Sequence, residues 1–212
     1  MVIAIDGPAG AGKSTVARGV AAVLGFTYLD SGAMYRCVAL AALERGVPLG
    51  DAEGVGELAR GLAIGLEAGS IRLDRRDVSE AIRSPEVTAA ASRVSVHPQV
   101  RAALVEQQRA LIASGDYVAE GRDIGTVVSP NAPLKIFLTA NEDERARRRA
   151  EESGEPFEEV LAALRARDAR DVNREHGALR PDKDSIEVDT SGLAVNDVVE
   201  QVVALARAKG IA

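Results

Sequence analysis

Tryptophan is absent from these 212 residues, and Phe and Tyr contribute only three each. A core without large rings has to be aliphatic, and the 46% hydrophobic content supplies the Val, Leu, Ile and Ala for one. The lone cysteine, Cys37, excludes an intramolecular disulfide and a cysteine-based zinc site, and reads as a small reduced residue on a helix. His97 and His176 are too few and too far apart for a metal pair, and are read as structural or exposed. Lysine stands only at positions 13, 135, 183 and 209, so most of the basic residues are arginine, the side chain suited to fixed, bidentate phosphate contacts. No apolar run approaches the ~20 residues needed to span a bilayer. Val2 to Ile5 is too short for a secretory signal. A net charge of −6 argues against nonspecific nucleic-acid binding, which needs a broad basic field. The expectation is a soluble, cytoplasmic monomer that acts on small molecules, with no nucleic-acid or membrane partner.

What is present is concentrated at the start. The β-branched run Val2-Ile3-Ala4-Ile5 leads into Gly7, Pro8, Ala9, Gly10, Ala11, Gly12, Lys13, Ser14 and Thr15, and then into apolar residues at helical spacing. The pattern G-x-x-x-x-G-K-[ST] between a strand and a helix is the phosphate-binding loop in its expected context. Glycines let successive backbone N–H groups curl inward around an anion, and the helix N-terminus adds unpaired donors and partial positive charge. Lys13 brings a full charge for the β- and γ-phosphates of ATP, and the Ser14 hydroxyl is placed to ligate Mg²⁺.

Further along, runs 26–29, 117–120, 134–139 and 185–189 alternate with helices, which predicts an α/β fold with a five-stranded parallel sheet flanked by helices. Strand order is not readable. Segments 62–67, 70–73 and 77–78, separated by turn-prone Ala68-Gly69 and Asp74-Arg75-Arg76, form a small antiparallel insert. Asp30 or Ser31 caps a helix that carries Arg36, either a solvated arginine or one reaching the crevice at the strand end. Arg122-Asp123, flanked by glycines, follows another strand. Arg145, Arg148 and Arg149 share one helix face, either solvated or a mobile arginine lid. Arg167, Arg170, Asp171 and Arg174 fall at i, i+3, i+4 and i+7 on a helix expected over 157–174, a charged stripe that is either a salt-bridged surface or a polar site.

Together with the phosphate loop, the runs Leu29-Asp30-Ser31-Gly32-Ala33-Met34-Tyr35-Arg36, Gly121-Arg122-Asp123-Ile124-Gly125-Thr126-Val127-Val128, Arg167-Asp168-Ala169-Arg170-Asp171-Val172-Asn173-Arg174 and Asp189-Thr190-Ser191 resemble the bacterial cytidylate kinases over essentially the whole chain. The resemblance implies a nucleoside-monophosphate-kinase core that transfers the γ-phosphoryl group of ATP to CMP or dCMP. It implies one domain with core 1–60, 96–140 and 175–212, an insert at about 61–95, and a lid at about 141–156 followed by the helix 157–174. Arg36 and Arg122 would bind the CMP phosphate. Ser31, Arg101, Asp123 and Arg174 would surround the cytosine, and Ser92, Arg167 and Asp171 would face the sugar. Arg145, Arg148 and Arg149 would be lid arginines. The insert is shorter than the family often has. Two alternatives stand beside this reading: another small-molecule kinase of the fold, such as an adenylate or shikimate kinase, and a GTP-binding switch. The Arg122-Asp123 pair and the charged stripe favour a pyrimidine nucleotide. A switch needs an Asn-Lys-x-Asp motif, and the sequence has no Asn-Lys pair.

Overall fold

Eight strands and eight α-helices follow one another in the computed structural model, which describes residues 1–67 and 70–211. The chain begins β1 (Val2–Asp6), α1 (Lys13–Leu24), β2 (Thr27–Asp30), α2 (Ser31–Glu44) and α3 (Ala52–Gly61). It continues β3 (Ile64–Glu67), β4 (Ser70–Leu73), β5 (Arg76–Asp77), α4 (Pro85–Val94) and α5 (Pro98–Ile112). It ends β6 (Tyr117–Gly121), β7 (Leu134–Thr139), α6 (Glu142–Ser153), α7 (Phe157–Val172), β8 (Ile186–Asp189) and α8 (Val195–Ala208). The expected turn at Ala68-Gly69 lies outside the described residues.

Two units can be distinguished, Met1–Leu29 with Ile112–Ala212, and Asp30–Leu111. The first is built on a five-stranded sheet of order β2-β6-β1-β7-β8. The pairings of β1 with β6 and β7, and of β7 with β8, are parallel. The central strand is buried at every position, as a parallel strand covered on both faces has to be. Val16 and Val20 of α1 and Val198 and Val202 of α8 pack with Ile3, Ile5, Ile136 and Leu138 in an aliphatic core. Helices α6 and α7 form a satellite cluster in which Ala146, Val160, Leu161 and Leu164 close over Ala9 of the phosphate loop. α6 has its acids Glu142, Asp143 and Glu144 in the first turn, where the helix dipole favours them, and ends at Gly154 in left-handed conformation.

Two differences from expectation fall in this unit. The helix expected over 157–174 stops at Val172, so Arg174 lies beyond its end. After β6 the chain makes a turn of π-helix over Ile124–Val128, with Val128 N–H bonded to Asp123 O and Ser129 N–H to Ile124 O. Such turns concentrate at functional sites.

In the second unit, α2, α3, α4 and α5 bury Met34, Val55, Val94, Val100 and Leu104 around Ile82, with Ile71 and Leu73 of the antiparallel sheet β3-β4-β5. Its helices start where side chains cap them. Asp30 accepts from Ala33 N–H, Asp51 from Gly54 N–H, and Ser84 from Val87 N–H ahead of Pro85. The expected insert 61–95 lies inside this unit.

Candidate active site

Gly7, Gly10 and Gly12 of the phosphate loop all have positive φ, and the first and last show what its path demands. Gly7 has φ +150°, and a Cβ there would lie 2.1 Å from the carbonyl oxygen of Leu138 on β7. Gly12 precedes α1 with φ +84°, and a Cβ there would meet nothing within 4 Å. The first glycine is demanded by a close approach; the last leaves open space at a helix N-terminus, the cradle that an anion fills.

Lys13 is buried, and its Nζ donates to Pro8 O of its own loop at 2.7 Å. Burial, then the guanidinium groups of Arg122 and Arg167, push its pKa down to about 7, against the pull of Glu120 and Asp6. A neighbouring anion favours the charged form of such a lysine. Ser14 follows it, partly exposed. Among the described residues no cluster of three His, Cys, Asp or Glu could hold a metal. One hydroxyl with phosphate oxygens and water suits Mg²⁺, a hard cation that keeps several waters and is bound largely through substrate phosphates.

The loop is walled by arginine. Arg145 Nη1 donates to Ala9 O at 3.0 Å and pairs with Asp168 at 2.6 Å, and its Nε donates to Ala140 O at 3.2 Å. Arg148 donates to Thr190 O at 2.8 Å and Thr190 Oγ1 at 3.0 Å, and that hydroxyl donates to Ala11 O at 3.3 Å. Only Arg149 of the three is exposed, paired with Glu152 on the surface. The shared helix face therefore does not form one free arginine cluster. Arg145 and Arg148 are held by backbone carbonyls of the loop and of the strand ends, because α6 packs directly on Ala9.

The register of β1 with β6 sets Asp6 beside Gly121, so Arg122-Asp123 leaves the sheet next to the start of the phosphate loop. Arg122 Nε donates to Asp171 Oδ2 at 2.9 Å, and Arg174 bonds the other oxygen of the same carboxylate. Burial pushes the Asp171 carboxyl up, but Arg122, Arg174 and Arg167 outweigh it and hold it below the ordinary carboxylate range. Asp123 is buried and Arg167 partly buried. The expected stripe is thus inward-facing at 167, 171 and 174, whereas Arg170 is exposed. Asp168, one residue out of the stripe's spacing, turns to Arg145 instead.

The second unit carries its own group. Asp30 caps α2 with one oxygen and holds Arg36 with the other at 2.8 Å. Ser31 and Ser92 are buried, and the buried Arg101 guanidinium lies over the Tyr35 ring at 5.9 Å. His97 bonds Leu49 O and is structural. Cys37 is buried, which pushes its thiol up to about 12.

Three residues here have no role assigned from the sequence, although Asp168 and Thr190 stand in the runs that carry the resemblance: Asp6, whose carboxylate accepts from Ile124 N–H and Gly125 N–H; Thr190, which bonds Arg148, Ala11 O and Thr139 O; and Asp168, which pairs with Arg145.

A strand–glycine loop–helix cradle with a buried lysine, on a parallel sheet of this order, defines the class: a P-loop kinase. A gluconokinase from Sinorhizobium meliloti 1021 shares the fold, with a TM-score of 0.52 at 16% identity over 99% of this chain and 93% of that one. The family model for cytidylate kinase matches residues 3–208. The cytidylate kinase of Carboxydothermus hydrogenoformans is 50% identical over 211 residues, 95% of each chain. That of Solibacter usitatus is 46% identical over 216 residues, 99% of this chain and 93% of its own. The chain belongs to the cytidylate kinase family.

Proposed function

We infer that the chain transfers the γ-phosphoryl group of ATP to CMP or dCMP, giving ADP and CDP or dCDP. The observation that carries this is the register Asp6–Gly121, which sets Arg122-Asp123 beside the phosphate loop in a chain that matches the family over residues 3–208. Lys13 takes the β- and γ-phosphates, within the backbone cradle of Gly7 through Thr15. Mg²⁺, held through Ser14, supplies neutralisation of phosphate charge when bound. Arg122 takes the acceptor phosphate, for which it exchanges or shares Asp171; the family resemblance gives Arg36, paired with Asp30, the same ligand. Ser31, Arg101, Asp123 and Arg174 recognise cytosine; Ser92, Arg167 and Asp171 recognise the sugar. Arg149 is the lid arginine with a displaceable surface partner. Arg145 acts first through the loop it holds, and Arg148 through Thr190, whose hydroxyl bonds Ala11 O of the loop.

The chemistry asks little else. The attacking oxygen of CMP is already anionic, so no strong general base is required. Positioning and charge neutralisation supply the rate. Cytosine offers an amino donor where uracil offers an acceptor, and a carboxylate only accepts, so Asp123 pairs with the first and repels the second. The role is in pyrimidine nucleotide metabolism in the cytoplasm, as a monomer acting on small molecules. In support, the net charge is −6, and no helix among the described residues is long and apolar enough to cross a membrane.

Phosphorus NMR of ATP and CMP with the protein and Mg²⁺ tests the reaction. CDP and ADP are expected to appear in equal amounts. Release of inorganic phosphate without CDP would overturn the assignment.

A further inference from the structure

The first N–H groups of the Ile124–Val128 turn have no partner within it, as at any helix start. Asp123 precedes them and is of a residue type that caps helices, yet its side chain makes no capping bond. The cap comes instead from Asp6, more than a hundred residues earlier. One carboxylate oxygen accepts from Ile124 N–H at 2.9 Å and the other from Gly125 N–H at 2.8 Å. Asp6 is 6% exposed and ends β1, and the next residue opens the phosphate loop. The approach is close: a Cβ on Gly125 would lie 3.3 Å from Lys135 Cδ and 3.4 Å from Asp6 Oδ2. Burial pushes Asp6 up to about 6 while the two amide bonds pull against it; of the charges it faces, Asp123 repels the carboxylate and Lys13 attracts it.

We propose that Asp6 is a positioning residue for the acceptor. By capping the π turn with both oxygens, it sets how Arg122 and Asp123 are presented and registers them to the phosphate loop with which it shares backbone. It also takes over the capping task, which the Asp123 side chain does not perform. An amide at position 6 would point a donor at one of the two N–H groups and break half of the cap. The inference rests on the reading that Arg122 and Asp123 meet CMP.

The test is steady-state kinetics of Asp6→Asn and Gly125→Ala with CMP, UMP and ATP, alongside Asp123→Asn and Arg122→Ala. Asp6→Asn is expected to raise KM for CMP roughly tenfold, the size of a lost buried hydrogen-bond partner, and to shrink the CMP/UMP ratio of kcat/KM. KM for ATP should be unchanged. Gly125→Ala, which keeps the carboxylate and crowds the same cap, should act in the same direction with smaller effect. It decides alone if Asp6→Asn does not fold. If both variants lose only thermal stability while Asp123→Asn and Arg122→Ala alter CMP kinetics, Asp6 is merely structural and the proposal falls. If Asp123→Asn and Arg122→Ala themselves leave CMP kinetics unchanged, the acceptor reading fails and takes the proposal with it.

Discussion

The phosphate-loop side of the first unit and its α7 side meet their charges by opposite means. Around the loop, side chains are answered by backbone: Lys13 by Pro8 O, Arg145 by Ala9 O and Ala140 O, Asp6 by the amides of Ile124 and Gly125. On α7, side chains are answered by side chains: Arg122 and Arg174 by Asp171, Arg145 by Asp168. Two of the buried carboxylates record the difference. Asp6 is held by backbone amides and is pushed up to about 6, whereas Asp171 lies between arginines and is held below its ordinary range. Backbone partners fix geometry once and for all, which suits a cradle for a polyphosphate common to many kinases. Side-chain partners can be exchanged for a substrate's own oxygens, which suits the selective end.

The largest expected effect is on the fixed side. Lys13→Ala removes a preorganised charge from the transferring phosphates, at about 3–4 kcal/mol, a loss on the order of several hundredfold in kcat. Circular dichroism should show the fold intact. A variant within threefold of wild type would remove the loop from the mechanism.

On the exchangeable side, Asp171→Ala leaves Arg122 and Arg174 without their shared carboxylate. Truncating one member of such a buried pair costs roughly 2–5 kcal/mol, so kcat/KM for CMP should fall by well over tenfold while KM for ATP holds. If only the melting temperature moves, the α7 face is a structural salt bridge and the contrast with the loop disappears.

Stability against pH separates the two carboxylates by sign. A raised native pKa gives Asp6 a contribution that is fully present below its unfolded value of 3.8 and lost as pH rises through about 6, on the order of 3 kcal/mol. A depressed native pKa gives Asp171 the reverse, a contribution present above 3.8 and lost as pH falls through its lower native value. Denaturant titrations from pH 3 to 8 should therefore show Asp6→Asn flattening the curve between about pH 4 and 6, and Asp171→Asn flattening only its acid end. Identical curves for the two variants would contradict the opposite environments.

The smallest effect sharpens the stripe. Arg170 shares the spacing of Arg167 and Asp171 but is exposed, so Arg170→Ala should change CMP kinetics and stability within about 0.5 kcal/mol. A larger loss of CMP activity would put the whole stripe, not its inner members, in the site.

The same contrast explains what could be read in advance. The loop was legible because backbone geometry demands particular residues at fixed offsets, Gly7 and Gly12 above all. The five strands and the caps at Asp30 and Ser84 carry local signals of the same kind. Strand order, the π turn and the Asp6 cap depend on pairings across many residues, and Ile5-Asp6-Gly7 looks like any strand end. Periodicity placed Arg167 and Asp171 correctly on one face. It could not show that Arg170, at the same spacing, is exposed, and it carried Arg174 on a helix that stops at Val172. That α6 rests on Ala9, so that Arg145 also holds the loop, is not visible in helical spacing. The assignments to cytosine and sugar came from resemblance to a family and from no spacing in the chain.

Competition tests the central claim most directly. CMP, UMP, AMP and GMP are supplied together at equal concentration with limiting ATP, and the diphosphates are quantified at early times. CDP is expected to form first and far ahead of the others. ADP formed from AMP as fast as CDP, traced with labelled AMP, would contradict the account.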